Sequence, residues 1–170
     1  MPIFNDLNLN KWKESEIWTD SLWIIPERDK TGKHNGFYHG NFVPQIPHQI
    51  ILRYTKKNDV VFDPFLGSGT TAYEAESLNR NFIGIDIQKK LVNYVSKNIE
   101  PTSNFSELIV GDSTKIDTLK KVKEILKNHK KKNVQLAILH PPYTDIIKFS
   151  NLKDDLSNTK SLEEFLGKFA

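Results

Sequence analysis

No cysteine occurs among the 170 residues, which excludes disulfide scaffolds, zinc–thiolate sites and thiol nucleophiles. Nowhere does the chain string together the roughly 18 uncharged apolar residues that a spanning helix needs. The stretch Met1 to Asn10 lacks both the basic flank and the apolar core of an export signal. A protein neither exported nor inserted in a membrane is expected, and a cytoplasmic setting is compatible with the missing thiols. Charge of one sign is also scarce: 24 basic against 21 acidic side chains leave a net +3, too little to argue for nucleic acid by itself. Repeats, low-complexity tracts and long Gly/Ser/Pro linkers are missing too, so one domain is expected at this length.

What is present fits a folded, water-soluble domain: 38% hydrophobic and 26% charged residues are ordinary for that class. The basic charge is one patch, since eight lysines lie between Lys115 and Lys132 against Asp117 and Glu124, leaving the remainder net acidic. Lys127, Lys130, Lys131 and Lys132 lead into an apolar run, which puts them at the amino edge of a sheet as a solvated face.

Hydrophobic patterning divides the chain into elements. From Lys11 to Ile25 three tryptophans are spread without a clean period before Pro26, which suggests a weak helix with the rings as packing anchors. Residues 26–41 are dense in Gly, Asn and charge and read as an exposed loop with the chemistry of ligand contact; Arg28, Lys30, Lys33 and His34 there suit either phosphate contact or plain solvation. His48 to Tyr54 predicts a two-turn helix with Ile50, Ile51 and Tyr54 on one face, Pro47 suiting its first turn. Four apolar runs then follow, Val60–Phe65, Asn81–Ile87, Glu107–Val110 and Val134–Leu139, separated by the helical stretches Thr70–Leu78, Lys89–Asn98 and Thr118–Asn128. Strands alternating with helices mean an α/β fold with a parallel sheet of four strands and right-handed crossovers.

Parallel sheets bind ligands at the carboxyl ends of their strands, and four corners collect there. The first is Asp63-Pro64-Phe65-Leu66-Gly67-Ser68-Gly69-Thr70-Thr71, where the glycines permit a sharp turn and the following helix presents free N–H groups to an anionic group such as a carboxylate. Lysine is missing after Gly69, which excludes a nucleotide-hydrolysing phosphate loop; the dinucleotide fingerprint is satisfied through Ala72, with Asp86 at a ribose-binding distance. Taken alone, that motif is weak evidence, and a merely structural turn is the alternative. Asp86 and Asp112 end the second and third runs. The fourth corner, His140-Pro141-Pro142-Tyr143, removes two N–H donors, leaves carbonyl acceptors and adds an aromatic face, which suits a flat base bearing an amino group.

At these residues the chain resembles a known family. Asp63-Pro-Phe-Leu-Gly-Ser-Gly-Thr-Thr is similar to the cofactor motif of S-adenosylmethionine-dependent DNA amino-methyltransferases, and His140-Pro-Pro-Tyr143 resembles their catalytic motif, usually written with Asp, Asn or Ser first. Phe42 to Gln45, with the helix after Pro47, is similar to the motif that precedes the cofactor loop. The resemblance covers residues 42–145 and implies a Rossmann-like class I methyltransferase fold with helices on both faces of the sheet. It implies that Asp63, Phe65, Gly67, Ser68, Gly69 and Thr70 cradle the methionine part of S-adenosyl-L-methionine, that Asp86 and Ile87 hold the ribose side, and that Asp112 faces the adenine. It implies catalysis by His140, Pro141, Pro142 and Tyr143 without metal or covalent intermediate. Histidine at 140 departs from the family, because imidazole accepts a hydrogen bond only when neutral and in the right tautomer; a histidine merely filling the strand end, with Pro141 accepting, is the alternative.

The implied substrate is DNA, methylated on the exocyclic amino group of adenine or cytosine. Methylation of RNA or of protein amide nitrogen, a dinucleotide oxidoreductase and a catalytically silent DNA-binding partner subunit are the competing readings. The organisation expected is an N-terminal helix and loop extension (1–41), a cofactor-binding and catalytic half-domain (42–150) and a charged C-terminal segment (151–170). The family's sheet has seven strands where four are found, and 46 residues between Ile87 and Val134 leave no room for a target-recognition region. A complementary polypeptide, or self-association through the exposed edge of the last strand, is therefore expected.

Overall fold

The computed structural model describes residues 4–144 and 146–169; Met1 to Ile3 of the N-terminal extension, Asp145 and Ala170 lie outside the described residues. Four strands form one parallel sheet in the order β3-β2-β1-β4: β1 is Val60–Asp63, β2 Asn81–Asp86, β3 Ser106–Val110 and β4 Leu136–Ala137. The order follows from the crossovers: helix α2 (Thr70–Ser77) carries the chain from β1 to β2, α3 (Lys89–Asn98) to β3 and α4 (Ile116–Asn128) back to β4. This is the Rossmann-like α/β architecture anticipated from the sequence.

Alternation along the strands builds two cores. Val61 and Phe82 point to the face covered by α1 (Gln45–Tyr54), α2 and α3, where Ile51, Ala72, Ala75, Val92, Val95 and Ile138 join them. Val60, Ile83 and Ile85 point the other way, against Ile109 and Val122 of α4. Helices therefore cover both faces, as a buried parallel sheet requires.

Several elements are shorter than the apolar runs suggest. β1 stops at Asp63 because Pro64 has no N–H for the ladder, and β4 is reduced to two residues at the sheet edge. The weak helix expected over Lys11–Ile25 is instead a kinked 3-10 helix, Leu9–Glu14, followed by irregular chain. Its tryptophans do anchor: Trp18 and Trp23 meet edge to face at 5.7 Å, and the Arg53 guanidinium lies 5.2 Å over Trp23. Tyr54 is exposed, and the buried positions of α1 are Pro47, Gln49, Ile51 and Leu52.

Beyond β4 the chain turns back over the carboxyl ends of the strands. A 3-10 turn, Leu156–Asn158, leads to α5, Leu162–Phe169, whose Phe169 stacks on Phe65 at 6.0 Å. The lysine patch lies at the opposite edge, where Lys131 Nζ donates to the Asn58 carbonyl that precedes β1. Among the described residues, no helix is long and apolar enough to cross a membrane.

Candidate cofactor cleft and catalytic corner

The turn after β1 is stitched to the end of β2. Leu66 N–H donates to the Ile85 carbonyl at 2.8 Å, and Gly67 N–H donates to Asp86 Oδ2 at 2.9 Å. Asp86 Oδ1 accepts a second amide, that of Gln88, at 2.8 Å, so one carboxylate fixes two loops. Gly67 and Gly69 both have positive φ, +53° and +92°. A Cβ on Gly69 would stand 2.8 Å from Val95 Cγ2 of α3, so the residue meets both a backbone and a packing demand.

A single cleft, about 1000 Å³ including its solvent-filled mouth, opens above these loops. It brings together Phe65, Gly67, Thr70, Asp86, Ile87 and Asp112 from the first three corners with His140, Pro141, Pro142 and Tyr143 from the fourth. Asp63, Ser68 and Gly69 are buried behind the wall. Asp63 accepts the Phe65 N–H and shapes the turn, while Ser68 Oγ donates to Asn41 Oδ1 at 2.7 Å.

Among the described residues, Asp86, Asp112, Asp154 and Asp155 line the cleft, and no lysine or arginine does. Burial first, then the charges of Asp155 and Asp63, pushes the Asp86 carboxyl up to about 6. Burial does the same to Asp63, also to about 6. Two buried side-chain atoms in the wall, Gln88 Oε1 and Asn41 Nδ2, have no hydrogen-bond partner among the described residues. Buried polar atoms left unmet are costly, and an acceptor, a donor and an acidic lining together fit a small cationic ligand that bears polar groups.

At the fourth corner His140 Nε2 lies 2.8 Å from Tyr143 Oη. The Phe42 ring packs 4.9 Å from the imidazole. Burial lowers the His140 pKa and favours the neutral ring. Tyr143 is 61% exposed, so its ring is open to a planar partner.

The sequence left several wall residues unnamed. Tyr38 and Asn41 come from the loop anticipated to contact a ligand, Gln88 follows β2, and Phe149 and Asp155 come from the returning C-terminal segment. Tyr38 packs on Phe149 at 5.6 Å, closing the cleft over Gly67. Asp155 is held by Ser157 N–H and Oγ and by Ser150 Oγ; only the Asp-x-Ser spacing hinted at such a turn.

Arg28, Lys33 and His34 of the 26–41 loop are turned inward, away from a role on phosphate, while Lys30 is exposed. Arg28 Nη1 donates to the carbonyls of both Asn41 and Phe42, Lys33 pairs with Glu76 at 2.6 Å, and His34 Nε2 meets Glu74 Oε1 at 2.5 Å. Glu74 on α2 also meets His48 Nδ1 of α1 at 2.6 Å.

A four-stranded parallel sheet covered by helices on both faces, with an acidic cleft at its carboxyl edge, fits a Rossmann-like methyltransferase fold. The family model described as DNA methylase, of the N6/N4 type, matches residues 5–97, more than half of the chain, and the protein belongs to that family. It is similar to the Type II methyltransferase M.BglI of Bacillus subtilis, with 32% identity over 136 residues, 79% of this chain and 35% of that protein. It is also similar to the Type II methyltransferase M.HinfI of Haemophilus influenzae, 38% identical over 109 residues, 60% of this chain and 30% of that protein. With M.BglII of Bacillus subtilis, another Type II methyltransferase, identity is 47% over 85 residues, 49% of this chain and 24% of that protein. The chain thus matches about a third or less of the length of these curated relatives.

Proposed function

We propose that this chain supplies the cofactor cleft and catalytic corner of a DNA methyltransferase that moves a methyl group from S-adenosylmethionine to the exocyclic amino nitrogen of adenine or cytosine. The observation that carries the reading is one cleft joining an acidic wall, free of Lys and Arg among the described residues, to the His140-Pro141-Pro142-Tyr143 corner. A dinucleotide, with its anionic pyrophosphate, would be repelled by four carboxylates; a sulfonium cofactor would be attracted. The same lining argues against the oxidoreductase alternative.

When bound, S-adenosylmethionine supplies a methyl group already activated for transfer. On this reading Phe65, Gly67 and Thr70 hold its methionine end, with Asp63, Ser68 and Gly69 shaping the turn from behind. Asp86 and Ile87 flank the ribose and Asp112 the adenine, while Gln88 Oε1 and Asn41 Nδ2 offer further polar contacts. The target base stacks on Tyr143. His140 Nε2 and the Pro141 carbonyl accept its amino hydrogens, draw the nitrogen lone pair out of conjugation and align it for in-line attack. Pro142 keeps the corner rigid. The amino hydrogen given up on methylation leaves as a proton toward the His140 Nε2 acceptor.

The outer edge of β4 has no neighbour among the described residues, and Leu139, two positions beyond this strand, is exposed. The reading therefore includes a further polypeptide segment, in the same protein or a separate one, that covers this edge and contributes target recognition; a second copy is the alternative occupant. Since the substrate is DNA, the proposed setting is the cytoplasm. Transfer of labelled methyl from S-adenosylmethionine to DNA, RNA and protein, offered in parallel, tests the reading. Label confined to amino groups of DNA bases is expected, and label in RNA or protein alone would refute it.

A further inference from the structure

Histidine at position 140 makes the hydroxyl of Tyr143 more than a decoration on a stacking ring. His140 Nε2 and Tyr143 Oη are 2.8 Å apart, with the rings edge to face at 5.5 Å and 79°. A neutral imidazole carries one N–H and one bare nitrogen, so two assignments satisfy this contact. Either the phenol donates to a bare Nε2, or Nε2–H donates to the phenol oxygen. Phenol O–H is the stronger donor of the two and imidazole nitrogen the stronger acceptor. Only the first assignment makes Nε2, the nitrogen on the Tyr143 side, the acceptor; the second leaves only Nδ1 bare.

We propose that the Tyr143 hydroxyl donates to His140 Nε2 and so pre-sets the imidazole as its Nδ1–H tautomer, making that hydroxyl a positioning group for the acceptor. The proposal rests on the methyltransferase reading of the cleft. Burial of His140, which disfavours the imidazolium, keeps the ring in the form where tautomer choice matters, and Phe42 packed 4.9 Å away restrains ring rotation. An incoming amino group then replaces the hydroxyl at a lone pair already in place. A carboxylate or amide oxygen at position 140 needs no such help, because it always offers an acceptor. The role of the hydroxyl is therefore tied to histidine.

The test is nitrogen-15 NMR of the imidazoles at about pH 8, above the usual histidine range. His140 is assigned by the signal that vanishes in His140→Gln. Wild type is expected to show an unprotonated Nε2. Tyr143→Phe, a change at an exposed position that keeps the ring, should raise the Nε2–H to Nδ1–H ratio about 3- to 10-fold, the worth of one net hydrogen bond. A protonated Nε2 in the wild type, or a ratio unmoved by Tyr143→Phe, overturns the proposal. In turnover, Tyr143→Phe should lower kcat in the His140 protein and have little effect when combined with His140→Asp; equal losses in both backgrounds also overturn it. Calorimetric binding of S-adenosylmethionine to the wild type is measured beside these. Its absence would remove the methyltransferase reading while the tautomer measurement stands or falls by itself.

Discussion

Glu74 clamps three elements at once, and replacing it should loosen them together. Its side chain is 8% exposed, and its two oxygens meet His34 of the 26–41 loop and His48 of α1 at 2.5 and 2.6 Å. Glu74→Ala leaves both ring nitrogens without that partner; removing one member of a buried ionic pair costs about 3–5 kcal/mol. For a domain of this size 1 kcal/mol moves the melting temperature by about 2–4 °C, so a fall of roughly 6–20 °C is expected. The pH dependence carries the sign. The hydrogen bond that His48 donates to Glu74, opposed by burial, raises the His48 pKa, so its stabilisation is complete below about 6.5 and fades as pH rises through the folded value. Burial alone would raise the Glu74 pKa, but the two histidine hydrogen bonds outweigh it and the net shift is downward. That contribution is present above about 4.5 and is lost as pH falls through the folded value. Glu74→Gln, which keeps the shape without the charge, should therefore lose most near pH 5.5 and least near pH 8. Asp63 and Asp86, both near 6, also favour folding as pH drops toward 5, but the variant retains them, so the difference from wild type isolates the clamp. Thermal melts followed by circular dichroism measure it. An alanine variant melting within about 2 °C of wild type, or a glutamine variant with an unchanged pH profile, would refute the reasoning.

Three further outcomes are expected. Asp86→Ala should weaken S-adenosylmethionine binding in calorimetry at least about tenfold, the equivalent of ~1.4 kcal/mol, and wild-type affinity should decline as pH falls through about 6, where that carboxyl takes up a proton. Methyl transfer should fall as the His140 imidazole protonates, at a pH below the ordinary histidine value because burial depresses it; His140→Ala should lose turnover and His140→Asp should flatten the acid limb in a pH–rate profile. Gly69→Ala should cost roughly 2–4 kcal/mol in denaturant unfolding, combining left-handed backbone strain with the 2.8 Å approach to Val95.

The sheet was legible because its central strands β1 and β2 are buried on both faces and read as unbroken apolar runs; the strand lengths were not, since Pro64 and the edge position of β4 end pairing before the apolar residues do. Helices α2, α3 and α4 were legible from length and spacing, and the corner residues from rigid, sequence-local turns. The walls of the cleft were harder. Tyr38, Asn41, Phe149 and Asp155 reach it from segments without periodicity, and only tertiary packing puts them opposite Gly67 and Asp86. Arg28, Lys33 and His34 look like surface charge in the sequence; their partners, the Asn41 and Phe42 carbonyls, Glu76 and Glu74, lie between 13 and 43 positions away.

Asn41 and Phe42 are neighbours in the chain. One accepts a hydrogen bond from Ser68 in the turn behind the proposed methyl-donor side, the other packs against His140 on the proposed acceptor side, and Arg28 grips the carbonyls of both. Consecutive Cα atoms are separated by about 3.8 Å, which leaves no slack between those two touches. The cleft thus has a shared hinge pin rather than two independent jaws, and a shift of the Ser68 turn carries the Phe42 ring with it.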